Sequence, residues 1–521
     1  MELFEVLLLL LAASAGLALI ARRLRVPYAV ALILAGMALA LVPGLPAVEL
    51  DPTLALVLFL PPFLQLSAQR TDWQAFRGEL KPILLLAVGA VLFTAVAVGA
   101  IAKLLVPELP WGAAIALGAI VAPPDAVAAA AVLRETSIPK RIVTVLEGES
   151  LLNDASSLVL YRFAVAATAA GTVDFSDATV SFALSAAGGA AVGLAVGWAT
   201  VWLLAKLEDA LLETAFSILA GYAAYIGAEH LHVSGVLAAV GSGLVIGRAQ
   251  HRVLSARVRL QSTAVWDFVE FLLTSFVFIL IGLQLRGLLA RLGDRDPLTL
   301  LGLAGAVSGV LIASRFVWVY ATAGLPGSLP RPGSDGAVPD RRHLAVVSWA
   351  GMRGVVSLAA ALALPVAFPG RDLIIFLAFC AILATLVLQG TTLGSVIRLL
   401  GVSGPGGNMG VGEIATRRKL AAAELEAVVA HLSDRERRDA AVQLLPEYRD
   451  RAMFATRLER DAERETDQSV SRVAIRLQAL TAARRLLSEH QQALDVERLR
   501  AIEEELDHRE AQLRHGAERE S

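Results

Sequence analysis

Apolar stretches of about 20 residues recur from the first residue to about position 400, separated by short polar breaks. No other feature constrains the fold so strongly. A helix of that length crosses the roughly 30 Å hydrocarbon core of a bilayer. Inside that core only helices or closed barrels satisfy every backbone N–H and C=O. These runs are continuous rather than alternating, which selects helices. Composition agrees, with 56% hydrophobic and 18% charged residues and a mean hydropathy of +0.64. A net charge of −2 suggests neither a nucleic-acid partner nor a funnel for acidic substrates. The single cysteine, Cys380, lies in an apolar run and reads as a small buried hydrophobe, with no disulfide framework or thiolate metal cluster.

Thirteen spans can be drawn, at 2–21, 27–43, 52–68, 81–105, 111–133, 141–170, 179–206, 212–228, 232–247, 264–285, 298–324, 343–367 and 372–400. Several exceed the ~20 residues a crossing needs, so tilt or helical extension is expected. The first span begins with Glu2 and Glu5 and is followed by Arg22, Arg23 and Arg25. A cleaved signal has the opposite polarity, so this is read as a retained helix. Placing that first arginine-rich loop in the cytoplasm assigns seventeen loop Lys and Arg to the same side. Five fall opposite: Lys103, Arg286, Arg291, Arg295 and Arg371. The bias predicts a multi-pass protein of the cell (inner) membrane, N-terminus outside and C-terminus cytoplasmic.

Beyond the exchange of character at Gly401, "GVSGPGGNMGVG" (401–412) reads as a flexible linker. Residues 413–521 are rich in Arg and Glu with helical periodicity. Leu499, Ile502, Leu506 and Leu513 take heptad a/d spacing, interrupted by Arg509. This predicts a cytoplasmic helical arm, packed on the membrane domain (1–400) or paired with a second copy, with a regulatory or dimerising role.

Ionisable residues inside the spans carry the functional information. A charge near the bilayer centre costs about 2.5–3.5 kcal/mol, so it is kept for pairing or for function. The set is Asp125, Glu147, Glu149, Asp154, Arg162, Glu270, Arg315 and Arg353. In "EGESLLND" (147–154), Asp154 lies thirteen residues beyond Arg141, or about 20 Å along a helix, near mid-membrane. Ser150 and Asp154 are i,i+4, as are Glu149 and Asn153, and together they form a broad polar stripe. Span five reads "GAIVAPPDAVAAAAVL", where Pro123 and Pro124 remove two N–H donors beside Asp125. Span twelve reads "SWAGMRGVVSLAAALALP", with Gly351, Arg353 and Gly354 at mid-span. If spans 1–6 and 8–13 are two inverted six-helix repeats, these interruptions occupy matching positions, which is the best sequence pointer to a transporter site. Arg353 stays charged and needs a carboxylate, and Glu149 is the expected partner in a structural ion pair. Glu270 and Arg315 are expected to pair between spans ten and eleven, while Arg162 and Glu147 lie nearer the interfaces.

These segments resemble the monovalent cation/proton antiporter-1 family in its bacterial form. The resemblance rests on "EGESLLND", "PDAVAAAAVL" (124–133), "KRIVTVLEGES" (140–150), "WDFVEFLLTSFVFILIGLQL" (266–285) and "WAGMRGVVSLAAALALP" (349–365). The tail stretch "AARRLLSEHQQALDVERLRAIEEELDHREAQL" also resembles the helical tail of bacterial members. The resemblance implies an all-α, thirteen-helix homodimer with two broken crossing helices and a moving six-helix core. It implies that Asp154 binds cation and proton in turn, with Asn153 as its neighbour in an asparagine–aspartate pair. Ser150 would supply an oxygen, Asp125 would sit at the crossing, and Glu149 would pair with Arg353. Two positions depart from the family pattern: Pro124 replaces a threonine, and Gln65 and Leu66 stand where a span-three glutamate often occurs.

The expected activity is antiport of Na+, with Li+ or K+ as alternatives, against H+, electroneutral and cofactor-free, serving pH and sodium homeostasis. Na+ at Asp154 is the implied metal, and membrane lipid the surrounding partner. No phosphate-binding loop is present. A cation channel could use the same residues, although paired broken helices favour a carrier. A membrane hydrolase would need a nucleophile–base pair, and the eight histidines lie mostly in loops or the tail. A sensor would need an output module, for which the tail is too short and too uniformly helical.

Overall fold

The computed structural model describes residues 16–17, 23, 28–42, 52–125, 138–170, 175–207, 209–292, 296–324, 341–402, 411–433 and 438–462. Among the described residues every regular element is a helix. Most of the expected first span, most of the linker and the Leu499–Leu513 heptads lie outside them.

The helices are α1 (Tyr28–Ala40), α2 (Pro52–Arg70), α3 (Trp73–Gly78), α4 (Leu80–Leu105), α5 (Trp111–Val121), α6 (Lys140–Ala170), α7 (Phe175–Leu204) and α8 (Ala210–His230). They continue as α9 (Gly235–Val253), α10 (Ala256–Leu292), α11 (Pro297–Thr322), α12 (Arg341–Trp349), α13 (Val355–Leu362) and α14 (Arg371–Leu400). From span two onward, each expected span has a helical counterpart. Among the described residues, six helical stretches, in α4, α7, α8, α10, α11 and α14, are long and apolar enough to cross a membrane; α1, α5 and α9 supply shorter apolar stretches. The 31-residue α6 is long enough but carries the charges of "EGESLLND".

Polar caps start several helices where the apolar runs begin. Asp209 accepts from the Leu211 and Leu212 amides at α8, and Ser234 from Leu237 at α9. At α11, the Thr299 hydroxyl and then its amide hold the Asp296 carboxyl below the usual range. Helix packing relies on small residues, as it does where no hydrophobic drive separates helix from lipid. Gly36 and Gly282 bring α1 and α10 into backbone contact: a Cβ on Gly282 would lie 2.4 Å from the Ile33 carbonyl oxygen.

Two apolar clusters meet at α6. The larger contains Leu117, Ile120, Val145, Phe278, Ile375 and Phe379. The smaller joins Leu60 and Leu64 of α2 to Leu151 and Ala155 of α6, Tyr225 of α8, and Val240 of α9. Elsewhere large apolar side chains face outward, including Trp198 and Trp202 on α7.

The chain divides into two compact units, Met1–Val402 and Ser403–Ser521. In the second, α15 (Val411–Ala430) and α16 (Arg438–Ala462) form a charged helical pair in which Arg451 lies 2.9 Å from Glu447 and 4.0 Å from Glu424.

Candidate functional site

Two consecutive prolines dictate the first interruption. In a continuing helix the Ala119 carbonyl would accept from residue 123, but Pro123 has no N–H. The Ser157 hydroxyl donates to that carbonyl instead, at 2.9 Å. Helix α5 ends at Val121, and residues 122–125 run on without helical structure. The freed Pro124 carbonyl accepts from Asn153 Nδ2 at 2.7 Å. Two residues of α6, one turn apart, thus serve the interruption: Ser157 replaces the bond that Pro123 removes, and Asn153 caps a carbonyl of the unwound segment.

The second interruption separates α12 from α13 at residues 350–354. Here the Asp125 amide donates to the Met352 carbonyl at 2.7 Å, stitching one unwound segment to the other. The Asp125 carboxylate lies against Gly354, the residue before α13, where a Cβ would fall 1.7 Å from Asp125 Oδ2. Only glycine permits that approach. A carboxylate at the start of a helix also meets the positive end of its dipole. The Arg353 amide is taken by the Thr385 hydroxyl at 3.1 Å, where α14 widens into a π-helical turn over Thr385–Gln389.

Beside this crossing, Arg315 of α11 grips Glu149 with both guanidinium ends: Nη1 to Oε1 at 2.6 Å and Nη2 to Oε2 at 2.8 Å. Its Nε donates to the Val347 carbonyl at 3.1 Å, at the C-terminal end of α12. Both side chains are buried. The expected pairing of Glu149 with Arg353 is therefore corrected, because Arg315 occupies both carboxylate oxygens. Arg353 is buried nearby, with Nε and Nη1 lacking a hydrogen-bond partner. The expected Glu270–Arg315 pair is corrected too, since Arg70 of α2 binds Glu270 at 2.8 Å and also engages Asp267.

One buried carboxylate of α6 is treated differently. Asp154 is only 8% exposed, and among the described residues it forms no salt bridge. Asn153, fully buried, turns its amide nitrogen to Pro124 and leaves Oδ1 without a partner.

A transmembrane family profile described as "Sodium/hydrogen exchanger, transmembrane" matches residues 8–399. The chain belongs to the sodium/hydrogen exchanger family. Among relatives of this exchanger, an uncharacterized Na(+)/H(+) exchanger of Mycobacterium tuberculosis is 37% identical over 409 residues, covering 75% of this chain and 74% of its own. The Na(+)/H(+) antiporter ApNhaP of Aphanothece halophytica is 30% identical, covering 83% and 81%. A sodium, potassium, lithium and rubidium/H(+) antiporter of Bacillus subtilis is 32% identical, covering 66% and 54%. The fold matches the sodium proton antiporter MjNhaP1 of Methanocaldococcus jannaschii with a TM-score of 0.60 at 20% identity, covering 77% of this chain and all of that one. The exchanger is thus a bacterial member of the antiporter-1 family, a family of multi-pass membrane transporters, and among its described residues it is all-helical.

Within the exchanger, Ser150, Asn153 and Asp154 share α6 with Glu149, and Asn153 and Asp125 meet at the crossing. Ser157, Thr385 and Arg315 were not expected there. Ser157 was legible in principle, standing one turn past Asn153 and matching the acceptor orphaned by Pro123. The partners of Thr385 and Arg315 come from helices far along the chain and left no local signal. At the departure in α2, Gln65 is fully buried and donates through Nε2 to the Ser217 carbonyl at 2.5 Å, tying α2 to α8.

Proposed function

We propose that this exchanger moves a monovalent cation, Na+ first, against H+ by alternating access around Asp154. One observation carries the reading: of the two most buried α6 carboxylates, Glu149 is neutralised bidentately by Arg315, while Asp154 sits at the helix crossing without such a partner. A carboxylate at membrane depth must be neutralised to cross an apolar barrier cheaply. Either a proton or a cation does this, and the alternation couples the two flows. The Asn153 Oδ1, Ser150 and the Asp125 region supply oxygens suited to a hard cation. The relatives named for potassium and lithium keep K+ and Li+ as alternative substrates.

With one exchangeable carboxylate, each half-cycle carries equal charge, and exchange is electroneutral. Thirteen spans in two inverted repeats, a homodimer in lipid, an outer N-terminus and a cytoplasmic tail complete the proposal, with pH and sodium homeostasis as the role. The test is proton flux in proteoliposomes, with Na+, K+ and Li+ supplied in turn at several clamped potentials. Wild-type protein should exchange without dependence on potential, and Asp154→Asn should abolish flux while remaining inserted. Robust exchange by that variant overturns the assignment.

A further inference from the structure

Asp154, Leu158 and Arg162 recur every four residues on α6 and so share one face. Asp154 is buried, Leu158 half-buried and Arg162 exposed. A cavity of about 400 Å³ runs along this face, with Ala155, Leu158 and Arg162 on one wall and Tyr225, Glu229 and His232 on another. Asp154 itself does not line it, but Ala155 and Leu158, the residues next to and one turn beyond Asp154, do. Arg162 stands two turns out, about 12 Å along the helix, on the side away from Arg141.

Across the cavity, Arg162 Nη2 reaches both oxygens of Glu229, at 3.2 and 3.4 Å. The side chains are 57% and 39% exposed. Such a pair contributes at most about 1 kcal/mol to stability, so its location matters more than its strength. Glu229 is the one carboxylate among the described cavity-lining residues, and a guanidinium already sits on it. The pair also bridges α6, the helix of Asp154, to α8.

Resting on the exchanger reading above, we infer that Glu229 is an access subsite for the monovalent cation and that Arg162 is its tethered competitor. A cation entering the cavity exchanges with the guanidinium on Glu229, then passes Leu158 to reach Asp154. Removing Glu229 leaves an uncompensated positive charge in the passage, which repels the incoming ion. Removing Arg162 leaves a free carboxylate, which concentrates it.

The experiment measures the Na+ KM separately from each membrane face, in vesicles of defined orientation, for wild type, Glu229→Gln, Arg162→Gln and the double variant. From the cavity face, Glu229→Gln should raise KM about tenfold and Arg162→Gln should lower it several-fold, with the double variant near wild type. From the opposite face all four should agree within about twofold. Equal shifts on both faces, or no shift on either, overturn the inference. If Glu229→Gln fails to insert, the opposite-signed effect of Arg162→Gln still decides. Absence of cation-driven proton movement in wild type would instead refute the exchanger reading itself.

Discussion

Two buried arginines lie close to Glu149, and only one holds it. Arg315 has the planar geometry to bind both oxygens and does so, while the Arg353 backbone is anchored to Thr385. Breaking a buried pair from one side strands a charge, so Arg315→Ala should destabilise the protein by about 3–5 kcal/mol. Glu149→Ala/Arg315→Ala should recover part of that loss, whereas Glu149→Ala/Arg353→Ala should show weaker coupling. Thermal unfolding of purified protein gives both double-mutant cycles. A stronger coupling to Arg353 would contradict the geometry. At this scale the sequence was half legible. Charges in apolar runs announced that Glu149 needed a cation, but two arginines 38 positions apart offered nothing local to rank them. The choice is made by where α11 packs.

The broken elements were more legible, because prolines and glycines act through backbone chemistry that any sequence exposes. Pro123 and Pro124 end α5 for want of N–H donors, and the segment from Ala350 to Gly354 separates α12 from α13. What the spacing did not reveal was how the orphaned groups are satisfied, since Asn153, Ser157 and Thr385 lie on other helices. These contacts predict different consequences. Ser157→Ala leaves the Ala119 carbonyl unsatisfied and should lower stability by about 1–3 kcal/mol while exchange persists. Gly354→Ala drives a methyl into the Asp125 carboxylate and should reduce exchange at least tenfold, even where the protein remains folded. Comparing melting temperature with flux for the two variants separates the effects. Full flux from Gly354→Ala would mean that Asp125 can leave the start of α13 without consequence.

Across the whole molecule, hydropathy located the helices from Tyr28 onward because a long apolar run has few other ways to fold. It placed their ends less well: α10 extends to Leu292, beyond the apolar span expected to end at 285. The tail belongs to a separate compact unit beginning at Ser403. A chain truncated near Gly410 should therefore keep exchange in proteoliposomes, with an altered pH profile if the tail regulates. Total loss from a correctly inserted truncate would assign the tail to transport. The crossing has a mechanical consequence as well. Its two unwound segments are fastened to each other by the Asp125 amide and the Met352 carbonyl. They and the helix ends beside them are tied to α6, α11 and α14: Asn153, Ser157 and Arg315 donate to the Pro124, Ala119 and Val347 carbonyls, and Thr385 accepts from the Arg353 amide. A bracket tied at so many points should move as a block rather than flex internally. Under the proposed alternating access, slip should then occur along the face of α6 toward α8, where the cavity lies and the exposed Arg162–Glu229 pair spans the gap.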